Sequence, residues 1–385
     1  MFWWFYPSLD EDQTSRPIIL WLDGVVGVAP SLMANLGLFG PYNINLNERE
    51  GSWINNYNLL FVDAPLGTGF SSIPEGIEAT SNLADTTRHL QYTLESFYSQ
   101  NPEFSDAPLY IFGQGYGAQL AVFLADALRN NDVVPPNLKG IVLGNPVIAP
   151  ALVLTKLSYY LYEMGYIEVS GREAIDAYVK IINDLVSNRD FEYAYEYLQK
   201  LDRFIEEDAS AISVNLGQIL EKLAYEADRD FFGQLEYLQD NGLTQNWRSI
   251  MNTQVASALG ISEANYDTRR EEVLNQFSKF FMAPAVDKVE EILNNTDLVV
   301  TIYNSNLDAI SNTLGQLEWV NKLRWSGQQQ FLSSPRQTLI VDGIIEGYFR
   351  ETDRLTFYWI NVAGLLVPAD NPEAIRRLLR RVMDE

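Results

Sequence analysis

The chain has 385 residues, 47% hydrophobic and 12% aromatic, which is enough to bury a large core and excludes a disordered tail. Its 51 acidic against 27 basic residues give a formal charge of −24, so the surface repels nucleic acid and anionic lipid and is well solvated. With no cysteine and one histidine, His89, disulfides, thiolate sites and a multi-histidine metal centre within one chain are all excluded.

The N-terminal "MFWWFYPSL" is too short, and lacks the basic flank, for a signal peptide; it reads as a strand inside a domain. Four further runs read as strands: "PIILWL" (17–22), "NLLFVD" (58–63), "LYIFG" (109–113) and "GIVLG" (140–144). Each is short, rich in Val, Ile, Leu or Phe, and stopped by Gly, Asp or Pro. Nearly continuous apolar runs suit parallel strands covered on both faces. Helical patterns lie between them at about 80–100 and 117–130, and this alternation predicts a mainly parallel sheet with right-handed crossovers.

From about 165 to 282 the pattern is helical. "SGREAIDAYVKIINDLV" places Ser170 and Glu173 at capping-box spacing, with Ile175, Tyr178, Val179 and Ile182 on one face. "FEYAYEYLQKLDRFI" repeats the idea through Phe191, Ala194, Tyr195, Leu198, Leu201 and Ile205. Strands return at "DLVVTIYN" (297–304) and "LTFYWINVAG" (355–364). The chain then ends in a helix with Asn371 as N-cap, Pro372 in the first turn and Ile375, Leu378, Leu379 and Val382 on its apolar face. The division predicted is 1–165 and 284–385 as two parts of an α/β core, with 166–283 a helical insertion. No stretch approaches the roughly 20 apolar residues that span a bilayer, so no membrane partner is expected.

"LYIFGQGYGAQL" (109–120) is a strand, a glycine-rich turn and a helix. That is the arrangement in which an α/β-hydrolase carries its nucleophile, in the pattern G-x-S-x-G. Here the pattern is Gly113-Gln114-Gly115-Tyr116-Gly117, with no side chain at the centre. Five collinear segments together resemble the serine carboxypeptidase family, nearest to its retinoid-inducible branch. They are "PIILWLDGVVGVAP", "NLLFVDAPLGTGFSS", "LYIFGQGYGA", "VVTIYNSNLDAISNTLGQLEWVNKLRW" and "FYWINVAGLLVPAD". The resemblance covers most of 1–165 and 284–385. It implies an α/β-hydrolase fold, no cofactor, a serine-type carboxypeptidase ancestry and a secretory or lysosomal setting.

Carried over residue by residue, the resemblance fails at the chemistry. The nucleophile position is Gly115 and the general-base position is Leu365; only the acid survives, as Asp308. Without a hydroxyl nothing attacks a carbonyl, and without a base nothing deprotonates a hydroxyl or water. The residues that hold a peptide's C-terminal carboxylate fall on Asp23, Gln114 and Leu38, and an ionised Asp23 would repel that carboxylate. The oxyanion-hole donors would be the backbone N–H groups of Val25 and Tyr116, with Val25 and Val26 restricting the loop.

The expected protein is therefore a pseudoenzyme with a binding, scaffolding or storage role, taking a peptide or protein ligand in the former cleft. The alternative is an active hydrolase, either a serine-type carboxypeptidase or one with a substitute nucleophile. Ser71, Ser72 and Ser81 offer hydroxyls without an identifiable base. His89 reads as a surface or helix-packing residue, and Trp3, Trp4, Trp21, Phe61 and Phe70 read as core.

Overall fold

The computed structural model describes the chain except for residues 24–27, 74–75, 77–81, 130–136, 208, 210–213, 222–246, 263, 268–269 and 385. Two compact units emerge, Met1–Val142 with Leu235–Phe277, and Leu143–Gln234 with Ser278–Glu385. The architecture is α/β, with helices around a mostly parallel central sheet.

Over residues 1–144 each apolar run becomes a strand: β1 (Trp3–Tyr6), β2 (Ile18–Leu22), β3 (Asn58–Val62), β4 (Pro108–Gln114) and β5 (Asn137–Gly144). Their order is β1-β3-β2-β4-β5. β2 runs parallel to both β3 and β4, and β1 is antiparallel to β3. Every residue of β2 and β3 is buried, as their lack of a polar face requires. At about 1.5–3 kcal/mol per buried large aliphatic or aromatic side chain, these strands are a main source of stability.

Helix α1 (Leu83–Gln100) joins β3 to β4, and α2 (Gly117–Leu128) joins β4 to β5. In α1, Thr86, Leu90, Thr93, Leu94 and Phe97 form the buried stripe, and Asn82 caps its start by accepting from the Asp85 N–H at 2.8 Å. Of the aromatic residues expected in the core, Trp21 and Phe61 are there, whereas Trp3, Trp4 and Phe70 are half-buried. Trp21 and Phe61 are fully buried, Trp3 packs edge-on against Phe97, and Phe70 lies against Tyr266. Residues 31–39 form a wide helical turn that the sequence pattern did not announce.

The second unit holds β6 (Val299–Ser305), β7 (Gln337–Val341), β8 (Ile344–Glu351) and β9 (Leu355–Ile360), in the order β6-β9-β8-β7. β6 and β9 are parallel; β8 is antiparallel to both β9 and β7. The C-terminal helix, Pro372–Met383, packs on β7 and β8 and is capped as expected, Asn371 accepting from the Ala374 N–H at 3.0 Å. Ile375, Leu378 and Leu379 of its predicted face are buried, and Val382 is half-buried.

Two local expectations need correction. The helix expected to start with a Ser170 cap begins at Val169, with Glu168 as N-cap and no side-chain cap bond. Buried Ile167 and Gly171, the latter pressed against the Ala209 carbonyl, draw the helix in earlier and leave Ser170 exposed inside its first turn. "FEYAYEYLQKLDRFI" is two helices, Phe191–Gln199 and Leu201–Glu207, meeting at Lys200, although Ala194, Tyr195, Leu198, Leu201 and Ile205 are all buried.

Candidate functional site

In the first unit the turn between β4 and α2 carries Gln114, Gly115 and Tyr116. Gly115 has φ +52°, the left-handed region where a Cβ clashes with the backbone and glycine does not. The two flanking glycines are fixed by packing instead. A Cβ on Gly113 would lie 2.3 Å from the Gly117 carbonyl oxygen, and one on Gly117 would lie 2.3 Å from that of Leu22 and 2.4 Å from that of Asp23. Strand β2 thus crosses the start of α2 at backbone contact. The elbow is geometrically intact, and its apex bears no nucleophile.

The parallel register pairs Leu22 with Gly113, so Asp23 follows β2 beside Gln114 at the end of β4. Both are buried, as is Leu38 in the 31–39 turn. Tyr116 is wholly buried at the start of α2, its ring edge-on to Phe277, and burial pushes its phenol well above the usual tyrosine range. Val25 and Val26 lie outside the described residues.

Near this turn the sequence reading missed a buried anchor. Asp63 accepts from the Ser31 N–H at 3.0 Å, the Ser31 hydroxyl at 2.8 Å and the Phe70 N–H at 2.9 Å. The Ser31 hydroxyl also meets the Tyr266 hydroxyl at 3.1 Å. Burial outweighs these donors and raises the Asp63 carboxyl to about 6. Gly69, at φ +54°, leaves room for it, since a Cβ there would lie 2.2 Å from Asp63 Oδ2. The signal was present in "VDAPLGTGF", where Asp63 and Gly69 share one packing reason, while Gly67 makes room for Ile73 and Val273.

In the second unit Asp308 is fully buried. Its Oδ1 accepts from the Ser311 N–H at 2.9 Å and its Oδ2 from Asn145 Nδ2 at 2.7 Å. Desolvation dominates these bonds and pushes the carboxyl up to about 7. Asn145, with φ +39°, also bonds the Ser305 hydroxyl at 2.7 Å and the Gly364 carbonyl at 3.4 Å, while Ser305 Oγ donates to that same carbonyl at 2.6 Å. Leu307 N–H donates to the Ala363 carbonyl at 2.9 Å, and Leu365 N–H to the Gly217 carbonyl at 2.7 Å. Asp308 and Leu365, the positions expected for the acid and the base, therefore lie on neighbouring segments held by one buried network. Leu365 itself is half-buried, near the backbone of Gly217.

A further shell supports the network. Gln316 Nε2 donates to Ser311 Oγ at 2.6 Å, and Trp319 Nε1 to Gln316 Oε1 at 2.6 Å. On the other side, Asp370 accepts from the Gly364 N–H at 2.7 Å and Gln218 Nε2 at 3.0 Å. Asn145 escaped the sequence reading, although Asn-Pro straight after a strand-ending glycine marked a turn that side-chain bonding could fix.

The other hydroxyl and imidazole candidates have structural surroundings. Ser71 is buried, donating to the Asp63 carbonyl at 2.5 Å and accepting from the Phe2 N–H at 2.8 Å; Ser72 is exposed, and Ser81 lies outside the described residues. His89 sits half-buried on α1, its pKa lowered by desolvation, and its charged neighbours are Asp85, Arg88 and the N-terminal amine. Among the described residues no group of three or more His, Asp or Glu side chains is placed to hold a metal ion.

The strand–elbow–helix turn and the ordered α/β elements define an α/β-hydrolase-fold protein. The profile of the serine carboxypeptidase family matches residues 1–385, and the chain belongs to that family. It is 28% identical to the mouse retinoid-inducible serine carboxypeptidase, over 99% of this chain and 88% of that protein. It is 27% identical to serine carboxypeptidase S10 family member 1 of Dictyostelium discoideum, over 97% and 88%. Among solved structures it is similar to Kex1Δp, a prohormone-processing carboxypeptidase from Saccharomyces cerevisiae, with TM-score 0.82 and 21% identity over 99% of this chain and 86% of that one; this likeness concerns the fold.

Proposed function

We propose that this chain is a serine carboxypeptidase-family protein without serine-peptidase chemistry, and that it acts by binding or scaffolding. The observation that carries the reading is Gly115. It occupies the apex of the elbow at φ +52°, where the family's attacking oxygen belongs, and it has no side chain. Leu365 supports the same reading, because an aliphatic group replaces the proton acceptor. Triad members act as a unit, so losing two leaves no more than the residual, roughly 10³–10⁴-fold over water, that the oxyanion hole and binding supply. Asp23, Gln114 and Leu38 at the carboxylate-binding positions reduce even that. In this reading 166–283 is an insertion carried on core segments 1–165 and 284–385, and the ligand is a peptide or protein, with no nucleic acid or membrane partner.

A fluorophosphonate probe tests the proposal. The purified protein should remain unlabelled under conditions that label an active serine carboxypeptidase to completion, and should release no C-terminal residue from N-blocked dipeptides. Covalent labelling mapped to any serine, accompanied by peptide turnover that the probe abolishes, overturns it.

A further inference from the structure

The β7–β8 hairpin forms one end of its unit's strand order, and β7 pairs with β8 alone among the described residues. Natural sheet edges are usually protected by charge or proline within the strand. The five residues of β7, Gln337-Thr-Leu-Ile-Val341, carry neither, in a chain of net charge −24. Exposed apolar side chains surround this edge: Ile340 is 52% exposed, Ile344 62%, Ile345 52% and Val362 67%. Ile340 pairs with Ile345 across the hairpin, Val341 with Ile344, and the Asn361 N–H bond to the Glu346 carbonyl at 2.9 Å carries the register on towards Val362.

The charge pattern selects the occupant. Residues 324–385 hold eight arginines and eight acidic residues, so the whole net charge of −24 lies in 1–323. A second copy therefore meets least repulsion at this end of the chain. β7 is also bracketed by opposite charges, Arg336 before it and Asp342 after it. Both are exposed, and among the described residues neither makes an ion pair; Arg336 instead lies over the Tyr348 ring at 4.4 Å. Arg336 and Asp342 flank β7 at its two ends, so two β7 strands laid antiparallel about Leu339 bring the Arg336 end of each copy to the Asp342 end of the other, where Arg336, released from the Tyr348 and Trp359 rings, can pair with Asp342 in the hairpin turn.

We propose that this edge is a homodimer interface, in which β7 pairs antiparallel with β7 of a second copy and the isoleucine row packs across the two-fold axis. The contact area is small, so the dimer is a weak, concentration-dependent one.

Sedimentation velocity of the full chain from about 1 to about 200 μM tests it, this being the range in which small interfaces associate. The wild type should pass from monomer to dimer. Arg336→Glu and Ile340→Lys, both at exposed positions that leave the buried face intact, should each weaken dimerisation at least about tenfold. Asp342→Asn, which keeps a residue that tolerates positive φ, should weaken it about threefold or more. The reversal Arg336→Glu with Asp342→Lys should restore most of the affinity lost by Arg336→Glu alone, which a purely apolar association would not do. A monomer throughout the range, a dimer indifferent to Arg336→Glu and Ile340→Lys, or a reversal that restores nothing would overturn the assignment.

Discussion

Adding one methyl at Gly117 should cost much more than adding one at Gly115, because the two glycines exist for different reasons. At Gly117 the new Cβ would lie 2.3 Å from the Leu22 oxygen, 2.4 Å from the Asp23 oxygen and 2.7 Å from the Leu22 carbonyl carbon. Ordinary carbon–oxygen contacts are at least about 3.3 Å, so β2 and α2 must part by roughly 1 Å. The obstructing atoms are strand backbone and cannot rotate away. A gap of that size forfeits a quarter to a half of each dispersion contact across it, and α2 buries Ala118, Leu120, Ala121, Val122, Leu124 and Ala125. Overpacking against rigid neighbours costs about 1–3 kcal/mol, and this case sits at or above the upper end. Gly115→Ala carries the left-handed penalty of about 1–2 kcal/mol, partly offset by the 0.4–1 kcal/mol that the stiffer unfolded chain returns. Urea titrations of both variants beside the wild type should place Gly117→Ala at about 3 kcal/mol destabilised and Gly115→Ala near 1 kcal/mol. A Gly117→Ala variant as stable as the wild type, or less perturbed than Gly115→Ala, would refute the backbone-contact account of the elbow.

On the proposed reading, Gly115→Ser together with Leu365→His should not give ordinary carboxypeptidase rates, because Asp23, Gln114 and Leu38 would still stand where the carboxylate clamp is expected; C-terminal residue release followed by chromatography checks this, and brisk turnover would show that those positions matter little. Asn145→Ala should destabilise the fold by about 2–3 kcal/mol, since it strips a donor from buried Asp308, Ser305 and the Gly364 carbonyl together, and urea unfolding reads the loss. Stability should also fall as pH rises from about 4 to 7. Asp308 and Asp63, raised to about 7 and about 6, hold their protons in the folded state after the unfolded chain has released them. Each then contributes stability that is complete below pH 4 and lost as the pH passes its folded value, about 4 kcal/mol for Asp308 and about 3 kcal/mol for Asp63 at 1.36 kcal/mol per pH unit. Thermal melts at pH 5 and pH 7.5 should accordingly favour pH 5, and a flat or rising profile across that interval would show that these carboxyls stay ionised when buried.

The strands were legible because their apolar runs have nowhere to go but a covered sheet, as β2 and β3 show. The elbow was legible because Gly113, Gly115 and Gly117 satisfy three geometric needs at fixed spacing. The β7–β8 hairpin was overlooked although Asp342-Gly343 lies between apolar residues and both take positive φ, the usual signature of a two-residue hairpin turn. Its exposed isoleucines blur the alternation that marks a half-buried strand. The Asp308 network was not legible, because Asn145 lies more than 150 residues from Ser305 and Asp308 and no local pattern links them. Ser170 misled because a good capping spacing is worth only about 1 kcal/mol, less than burying Ile167 one turn earlier.

On the reading proposed above, an aspartate at 308 beside Gly115 and Leu365 would follow from what each side chain touches. Asp308 satisfies the Ser311 amide and Asn145, and through Asn145 it braces Ser305 and the Gly364 carbonyl. Replacing it by an apolar group would leave buried donors without acceptors, at about 1–3 kcal/mol each. A nucleophile at the elbow has the opposite balance: at φ +52° a side chain is strained, so glycine there relieves the backbone. At 365 the backbone N–H holds Gly217, a bond that any residue except proline can make, and the side chain is free to change. The burial and bonding of Asp308 are thus accounted for by the fold alone.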